Sequence, residues 1–166
     1  MAKGALEKAM DFLSVRPLTE AELRTKLTSG DRYSSEEIDD ALSQCRARGY
    51  LNDELLAADA VQFLNSGGRG RGIIRKKLRQ RGVAEEILSQ ALEELAPEAE
   101  MEAACNAADG KLRLLTREKD ARKKREKLFR FLISRGFSPD LTLKVIGEKL
   151  AKDSENDEEF PADEEV

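Results

Sequence analysis

A short segment that occurs twice constrains the fold of this chain more than any other feature. The first copy is Leu78-Arg79-Gln80-Arg81-Gly82-Val83, and the second is Leu132-Ile133-Ser134-Arg135-Gly136-Phe137. Apolar residues follow both copies at helical spacing, and a looser counterpart lies around Leu23 and Leu27. A period of roughly 50 residues with a helix-turn-helix core is typical of tandem units that stack into an elongated, curved body.

Helix signals recur along the chain at the spacing that such units require. Thr19 and Ser34 each precede a Glu by three residues, which is the pattern of a capping box, and Pro139 stands where the first residue of another helix is expected. Glycine or proline ends most of the apolar runs. The chain is 37% charged, and its abundant Ala, Leu, Glu, Lys and Arg favour helices. We therefore predict an all-α fold of nine helices.

The nine predicted helices form three tandem three-helix, helix-turn-helix-like repeats followed by a tail. The predicted repeats cover residues 1–52, 53–97 and 98–151, and the acidic tail covers residues 152–166. Because the tail has few apolar residues, we predict that it is disordered.

The charges are unevenly distributed, although the formal net charge is only −4. Residues 151–166 contain eight acidic residues and one lysine, and residues 17–66 are also mainly acidic. In contrast, residues 69–81 contain seven basic residues and no acidic residue, and residues 111–135 contain eleven basic and three acidic residues. This distribution is typical of an anion-binding protein with an acidic tail.

Two predicted helices carry cations opposite their apolar side. At 100° per residue, three cations of the fifth helix point away from Ile74 and Leu78, and three of the eighth helix oppose Leu128. One charge run is usually only a solvated face, but two of them in related repeats favour a binding function. The predicted residues for binding DNA or a protein filament are Arg69, Arg71, Arg75, Lys76, Arg79, Arg117, Arg122, Lys123, Lys127 and Arg130. We interpret Arg81 only as a charge that favours the helix dipole.

The glycine-rich stretch Gly67–Gly72 precedes the fifth helix. It is not a Walker loop, because no Gly-Lys-Ser/Thr follows it and no strand precedes it. Two interpretations stay open: a flexible connector, or a turn with exposed backbone that presents Arg69 and Arg71 to phosphates or carboxylates.

Aromatic residues are sparse, with six Phe, two Tyr and no Trp. We expect Phe63, Phe129, Phe131 and Phe137 to lie in the core. Binding through backbone charge is therefore favoured over base stacking.

The residue counts also restrict catalysis. The chain has no histidine, and Cys45 and Cys105 alone cannot complete a four-ligand zinc site. We expect no catalytic residue, no cofactor and no metal site. No uncharged run approaches the roughly 18 residues of a membrane span, and acidic residues stand near the start, so we expect a cytoplasmic protein without a membrane partner. We also expect both thiols to be reduced, and the protein to be a monomer.

Several motifs together resemble the bacterial RecX family of recombination regulators. They are Gly49-Tyr50-Leu51-Asn52-Asp53 followed by Ala57, the glycine-rich stretch, and Ile74 to Val83. The likeness extends from about Leu6 to Leu150 and includes residues 22–27 and 131–137.

This resemblance implies three three-helix repeats that lodge in the helical groove of the RecA filament on DNA. It also implies a non-enzymatic negative regulator that inhibits ATP hydrolysis and strand exchange by RecA, in homologous recombination, DNA repair and the SOS response. The implied partners are the RecA filament and single-stranded DNA, with double-stranded DNA left open. The alternative function is a general DNA-binding protein of helix-turn-helix-like repeats without a protein target.

Overall fold

The computed structural model describes residues 3–157, and side-chain burial over residues 3–151. Over that range the chain forms nine α-helices and no β-strand, which confirms the predicted all-α class. The helices are α1 (Ala5–Val15), α2 (Glu20–Thr28), α3 (Ser35–Ala47), α4 (Asp53–Ser66), α5 (Arg71–Gln80), α6 (Glu85–Glu93), α7 (Pro97–Leu114), α8 (Ala121–Ser134) and α9 (Pro139–Asp157). Helix α9 includes residues 152–157 of the predicted tail, and residues 158–166 lie outside the described residues.

Local side-chain chemistry sets the helix starts. At the start of α2, the Thr19 hydroxyl accepts a hydrogen bond from the Glu22 N–H at 3.1 Å, and the Glu22 carboxylate accepts one from the Thr19 N–H at 2.9 Å. Ser34 and Glu37 form the same reciprocal pair before α3. Both predicted capping boxes are confirmed.

The repeated segment folds into a repeated helix C-terminus. Gly82 follows α5 with a φ of 78°, and Gly136 follows α8 with a φ of 88°. The N–H of the next residue returns to the helix in both cases, since Val83 bonds the Leu78 carbonyl at 3.2 Å and Phe137 bonds the Leu132 carbonyl at 3.3 Å. This is the Schellman arrangement, which requires a left-handed residue that glycine adopts without strain.

The chain divides into two compact units. Unit 1 comprises Met1–Phe63 and Arg75–Leu95, and unit 2 comprises Leu64–Ile74 and the chain from Ala96 onward. The core of unit 1 is centred on buried residues of α2 and α3, including Leu23, Leu27, Ile38 and Leu42. The core of unit 2 joins α7, α8 and α9 through residues that include Ala104, Leu128, Leu132, Val145 and Ile146. The division into three repeats stays a prediction.

The phenylalanines only partly follow the prediction. Phe137 is buried, and Phe129 and Phe131 are half-buried against the core of unit 2. The prediction for Phe63 is wrong, because its side chain is 76% exposed. Helix α4 carries apolar residues on several sides, and tertiary packing buries the side that holds Ala57 and Val61.

Candidate functional site

The basic surface of α5 is partly neutralised within unit 1. We call Arg75, Lys76 and Arg79 the α5 face. Glu85, the first residue of α6, forms ion pairs with both Arg75 and Arg79, and the Arg79 contact measures 2.9 Å. The hydrogen bond from Arg79 is the main reason that the pKa of Glu85 lies below its ordinary value. Lys76 is exposed and has no ion pair within the described residues.

The basic surface of α8 keeps more of its charge. We define the α8 face as Lys123, Lys127 and Arg130; Arg125 is a further exposed cation elsewhere on the same helix. Lys127 pairs with Glu118 at 2.6 Å. Lys123, Arg125 and Arg130 are exposed, and no carboxylate of the described chain forms an ion pair with them. Three cations of α8 are therefore without a carboxylate partner among the described residues.

The other predicted residues of this region lie at its margins. Arg122 is at the start of α8, and its guanidinium contacts the Glu126 carboxylate at 3.5 Å. Arg117 is exposed in the loop between α7 and α8.

The glycine-rich stretch is an ordered connector of unit 2. The backbone N–H groups of residues 68–72 all donate hydrogen bonds, and their acceptors include the carbonyls of Arg135 and Gly136 and the Glu100 carboxylate. A Cβ at Gly70 would overlap the Gly136 backbone, so glycine is required there. The interpretation as a turn with exposed backbone is wrong, because these N–H groups are already used.

The two arginines of this connector have different surroundings. The Nε of Arg71 donates to the Glu100 carboxylate at 2.7 Å, and Glu100 is almost fully buried. Arg69 is half-buried and has no ion pair within the described residues. Arg69 therefore remains available to an anion, whereas Arg71 already has a carboxylate partner.

Arg81 has a different role from the predicted dipole charge. Its guanidinium donates two hydrogen bonds to Glu22, at 2.9 and 3.0 Å, and a third to the Pro17 carbonyl at 3.2 Å. Burial would raise the pKa of Glu22, but hydrogen bonds from Arg81, the Thr19 N–H and Arg16 outweigh burial and lower it to about 2. The correction follows from tertiary packing, which brings α2 to the end of α5.

Arg135 occupies the same position as Arg81 in the second copy of the repeated segment, and sequence reasoning missed it. Its guanidinium lies 4.9 Å from the centre of the Phe131 ring, and the Lys111 ammonium lies 5.4 Å from the same centre. No carboxylate of the described chain forms an ion pair with Arg135 or Lys111. Burial, with a smaller contribution from the charge of Arg69, lowers the pKa of Arg135. The repeated Arg-Gly pair was the available sequence signal.

The described residues offer neither a metal-binding cluster nor a membrane-spanning helix. Among residues 3–157, no group of three His, Cys, Asp or Glu side chains could hold a metal ion. None of the helices in that range is long and apolar enough to cross a membrane.

Comparison with known proteins identifies the family. The family model described as the first three-helix domain of RecX matches residues 5–45, and the model of the third three-helix domain matches residues 98–146. The regulatory protein RecX of Haemophilus influenzae (strain 86-028NP) is 32% identical over 155 residues, which cover 89% of this chain and 96% of that relative. The chain belongs to the RecX family. The predicted resemblance is thereby confirmed.

Other members of the RecX family agree with this assignment. The regulatory protein RecX of Pasteurella multocida (strain Pm70) is 29% identical over 148 residues, covering 89% of this chain and 88% of the relative. A crystal structure of regulatory protein RecX has a TM-score of 0.73 at 27% identity and covers 85% of this chain and 69% of that one. RecX from Lactobacillus salivarius shares the fold with a TM-score of 0.78, at 24% identity and with coverage of 87% and 93%. The relatives from Haemophilus influenzae and Pasteurella multocida and the first of these two structures are named as regulatory proteins.

Proposed function

We propose that this chain is a negative regulator of RecA that binds the RecA–DNA filament. In this proposal it acts as a cytoplasmic monomer, lowers ATP hydrolysis and strand exchange by RecA, and does no chemistry of its own. Membership of the RecX family supports the regulatory role. The uncompensated cations of the α8 face are the observation that carries the DNA contact.

The position of these cations in α8 also favours a bound phosphate backbone. Of the nine helices in the described range, only α5 and α8 have no acidic residue in the first turn. Helix α8 instead begins with Ala121, Arg122, Lys123 and Lys124. Cations near a helix N-terminus oppose the helix dipole, and like charges spaced three or four residues apart repel each other. A phosphate backbone that lies along α8 relieves both effects and releases counterions.

A titration of RecA ATPase on single-stranded DNA tests the proposal. The chain should lower ATP turnover at amounts well below those that saturate the DNA, because it acts on the filament. A protein that only coats DNA would inhibit in proportion to the DNA that it occupies, which would favour the general DNA-binding function. Unchanged turnover at full occupancy would contradict regulation of RecA.

A further inference from the structure

Unit 2 contains a groove beside Arg135 whose lining suits a nucleotide. The groove has a volume of about 490 Å³ and lies between α7, the end of α8 and the glycine-rich connector. Its lining includes Asn106, Gly110, Lys111, Leu114, Phe131 and Arg135 and no acidic residue. Volumes of roughly 300 to 1,000 Å³ are typical of ligand sites.

Within the part of the chain that the structure describes, the cations of this groove have no carboxylate counterion. In unit 1 the chain itself supplies a carboxylate, Glu22, to Arg81. The corresponding Arg135 has the charge of Arg69 nearby instead, because Gly70 donates a backbone hydrogen bond to the Arg135 carbonyl at 2.9 Å. Lys111 lies on the same Phe131 ring as Arg135. Cations held together without a carboxylate favour an anion from outside the chain.

The groove also offers an apolar surface that a phosphate alone would not need. Leu114 is 78% exposed at its edge, and the half-buried Phe131 forms part of its wall. Arginine planes and aromatic rings are common stacking partners for the bases of single strands. At Gly110 nothing lies within 4 Å of an added Cβ, so a flat group can approach α7 there.

We propose that this groove binds one nucleotide of single-stranded DNA, with its phosphate on Arg135 and Lys111 and its base against Leu114 and Phe131. The inference rests on the proposed DNA binding and adds a contact to a base. It differs from the α8 face, where binding depends only on phosphate charge.

The test fills the groove without changing its charge. Gly110→Trp adds a large side chain inside the groove, whereas Gly147→Trp is the matched control, because Gly147 is also an exposed helical glycine with no atom within 4 Å of an added Cβ. Binding is measured to a short oligo(dT) strand and to an abasic strand with the same number of phosphates. The parent and Gly147→Trp should bind oligo(dT) roughly tenfold more tightly than the abasic strand. Gly110→Trp should lose most of that difference and bind the abasic strand nearly as well as the parent does.

A second pair of variants keeps the proposal testable if Gly110→Trp does not fold. Lys111→Gln should reduce the slope of log affinity against log salt by about 0.7, whereas Arg113→Gln, on the same helix but outside the groove lining, should change it less. Circular dichroism of each variant should match the parent.

The contrary outcomes separate this inference from the proposed function. Equal affinity of the parent for both strands, or an equal loss for both strands in Gly110→Trp, would overturn insertion of a base and leave DNA binding intact. A Glu-rich peptide that competes with DNA for the parent but not for Gly110→Trp would assign the groove to a protein partner instead. If the parent binds neither strand, both the inference and the proposed DNA contact fail.

Discussion

Arg81 in unit 1 and Arg135 in unit 2 end equivalent helices through the same backbone turn, yet their electrostatic surroundings are opposite. Arg81 donates to the Glu22 carboxylate, and these interactions raise the pKa of its guanidinium. Arg135 stacks on Phe131 without a carboxylate in the described chain, and burial lowers its pKa. A repeated sequence segment can therefore preserve a turn while the surrounding helices change the chemistry of its side chain.

The two basic faces differ in the same way. Glu85 neutralises part of the α5 face, whereas Lys123, Arg125 and Arg130 on α8 have no ion pair within the described residues. Among the described residues, unit 1 thus compensates many of its own cations, whereas unit 2 leaves more of them without a carboxylate partner.

The largest effect is expected from removing the uncompensated cations of α8. Replacing Lys123, Arg125 and Arg130 by Gln should reduce the salt slope for single-stranded DNA by about 2 and weaken binding about a hundredfold near 0.1 M salt. In the matched triple variant of the α5 face, Gln replaces Arg75, Lys76 and Arg79. This variant should reduce the salt slope by about half as much. Fluorescence anisotropy over a salt series measures both slopes.

Folding should be nearly unchanged in both triple variants, since exposed sites usually cost less than about 0.5 kcal/mol each. Inhibition of RecA ATPase should fall further in the α8 variant than in the α5 variant. Equal weakening by the two triple variants would refute the difference between the faces.

The second effect concerns the stability of unit 1. The pKa of Glu22 falls on folding from an ordinary value of 4.5 to about 2. The ionised carboxylate therefore stabilises the fold above about pH 4.5, and this contribution is lost as the pH falls towards 2. Glu22→Gln should lower the free energy of unfolding by about 2 kcal/mol at neutral pH and remove this part of the acid sensitivity. Urea denaturation at several pH values measures the change.

Glu36→Gln provides the control for Glu22, because Glu36 is exposed and has no ion pair in the described chain. It should shift stability by less than about 0.5 kcal/mol. If Glu22→Gln is as stable and as acid-sensitive as the parent, the ion pair between Glu22 and Arg81 does not stabilise unit 1.

A smaller effect is expected from a substitution at Glu85, and it should strengthen DNA binding where the α8 substitutions weaken it. Glu85→Gln releases Arg75 and Arg79 from their shared carboxylate, so affinity for single-stranded DNA should rise about fivefold at low salt. Glu86→Gln removes a neighbouring exposed acidic side chain without an ion pair in the described residues and should have a weaker effect. Equal gains in the two variants would mean that net charge, and not release of the α5 face, controls binding.

The smallest effect on the free energy of unfolding is expected from substitutions of two buried threonines, Thr19 and Thr142. The Thr19 hydroxyl in unit 1 donates to the Arg81 carbonyl, whereas the Thr142 hydroxyl in unit 2 has no hydrogen-bond partner within the described residues. Thr142→Val should raise the free energy of unfolding by about 0.5 kcal/mol, because an unpaired buried hydroxyl is removed. Thr19→Val should lower it, since a helix cap is lost as well. Destabilisation by both substitutions, measured by thermal denaturation, would contradict the assignment at Thr142.

The sequence by itself determined the helices and much of the core. Capping boxes at Thr19 and Ser34 and the left-handed glycine at residue 82 act within a few residues, so their consequences can be derived from local sequence. The helical period also identified Ile74 and Leu128 as buried, because each has an apolar residue four positions on along the same helix face, Leu78 and Leu132. The period failed at Phe63, since α4 has apolar residues on several sides and only packing selects among them.

The tertiary structure decided which cations have partners. Glu22 and Arg81 lie 59 residues apart in the chain, and Arg71 and Glu100 lie 29 apart, so no local pattern predicts these pairs. The sequence identified the basic segments, but not that Arg135 has no carboxylate partner in the described part of the chain. Whether a surface charge is neutralised depends on side chains brought within about 4 Å by the fold, and the Coulomb energy of such a pair depends on how far packing removes it from water.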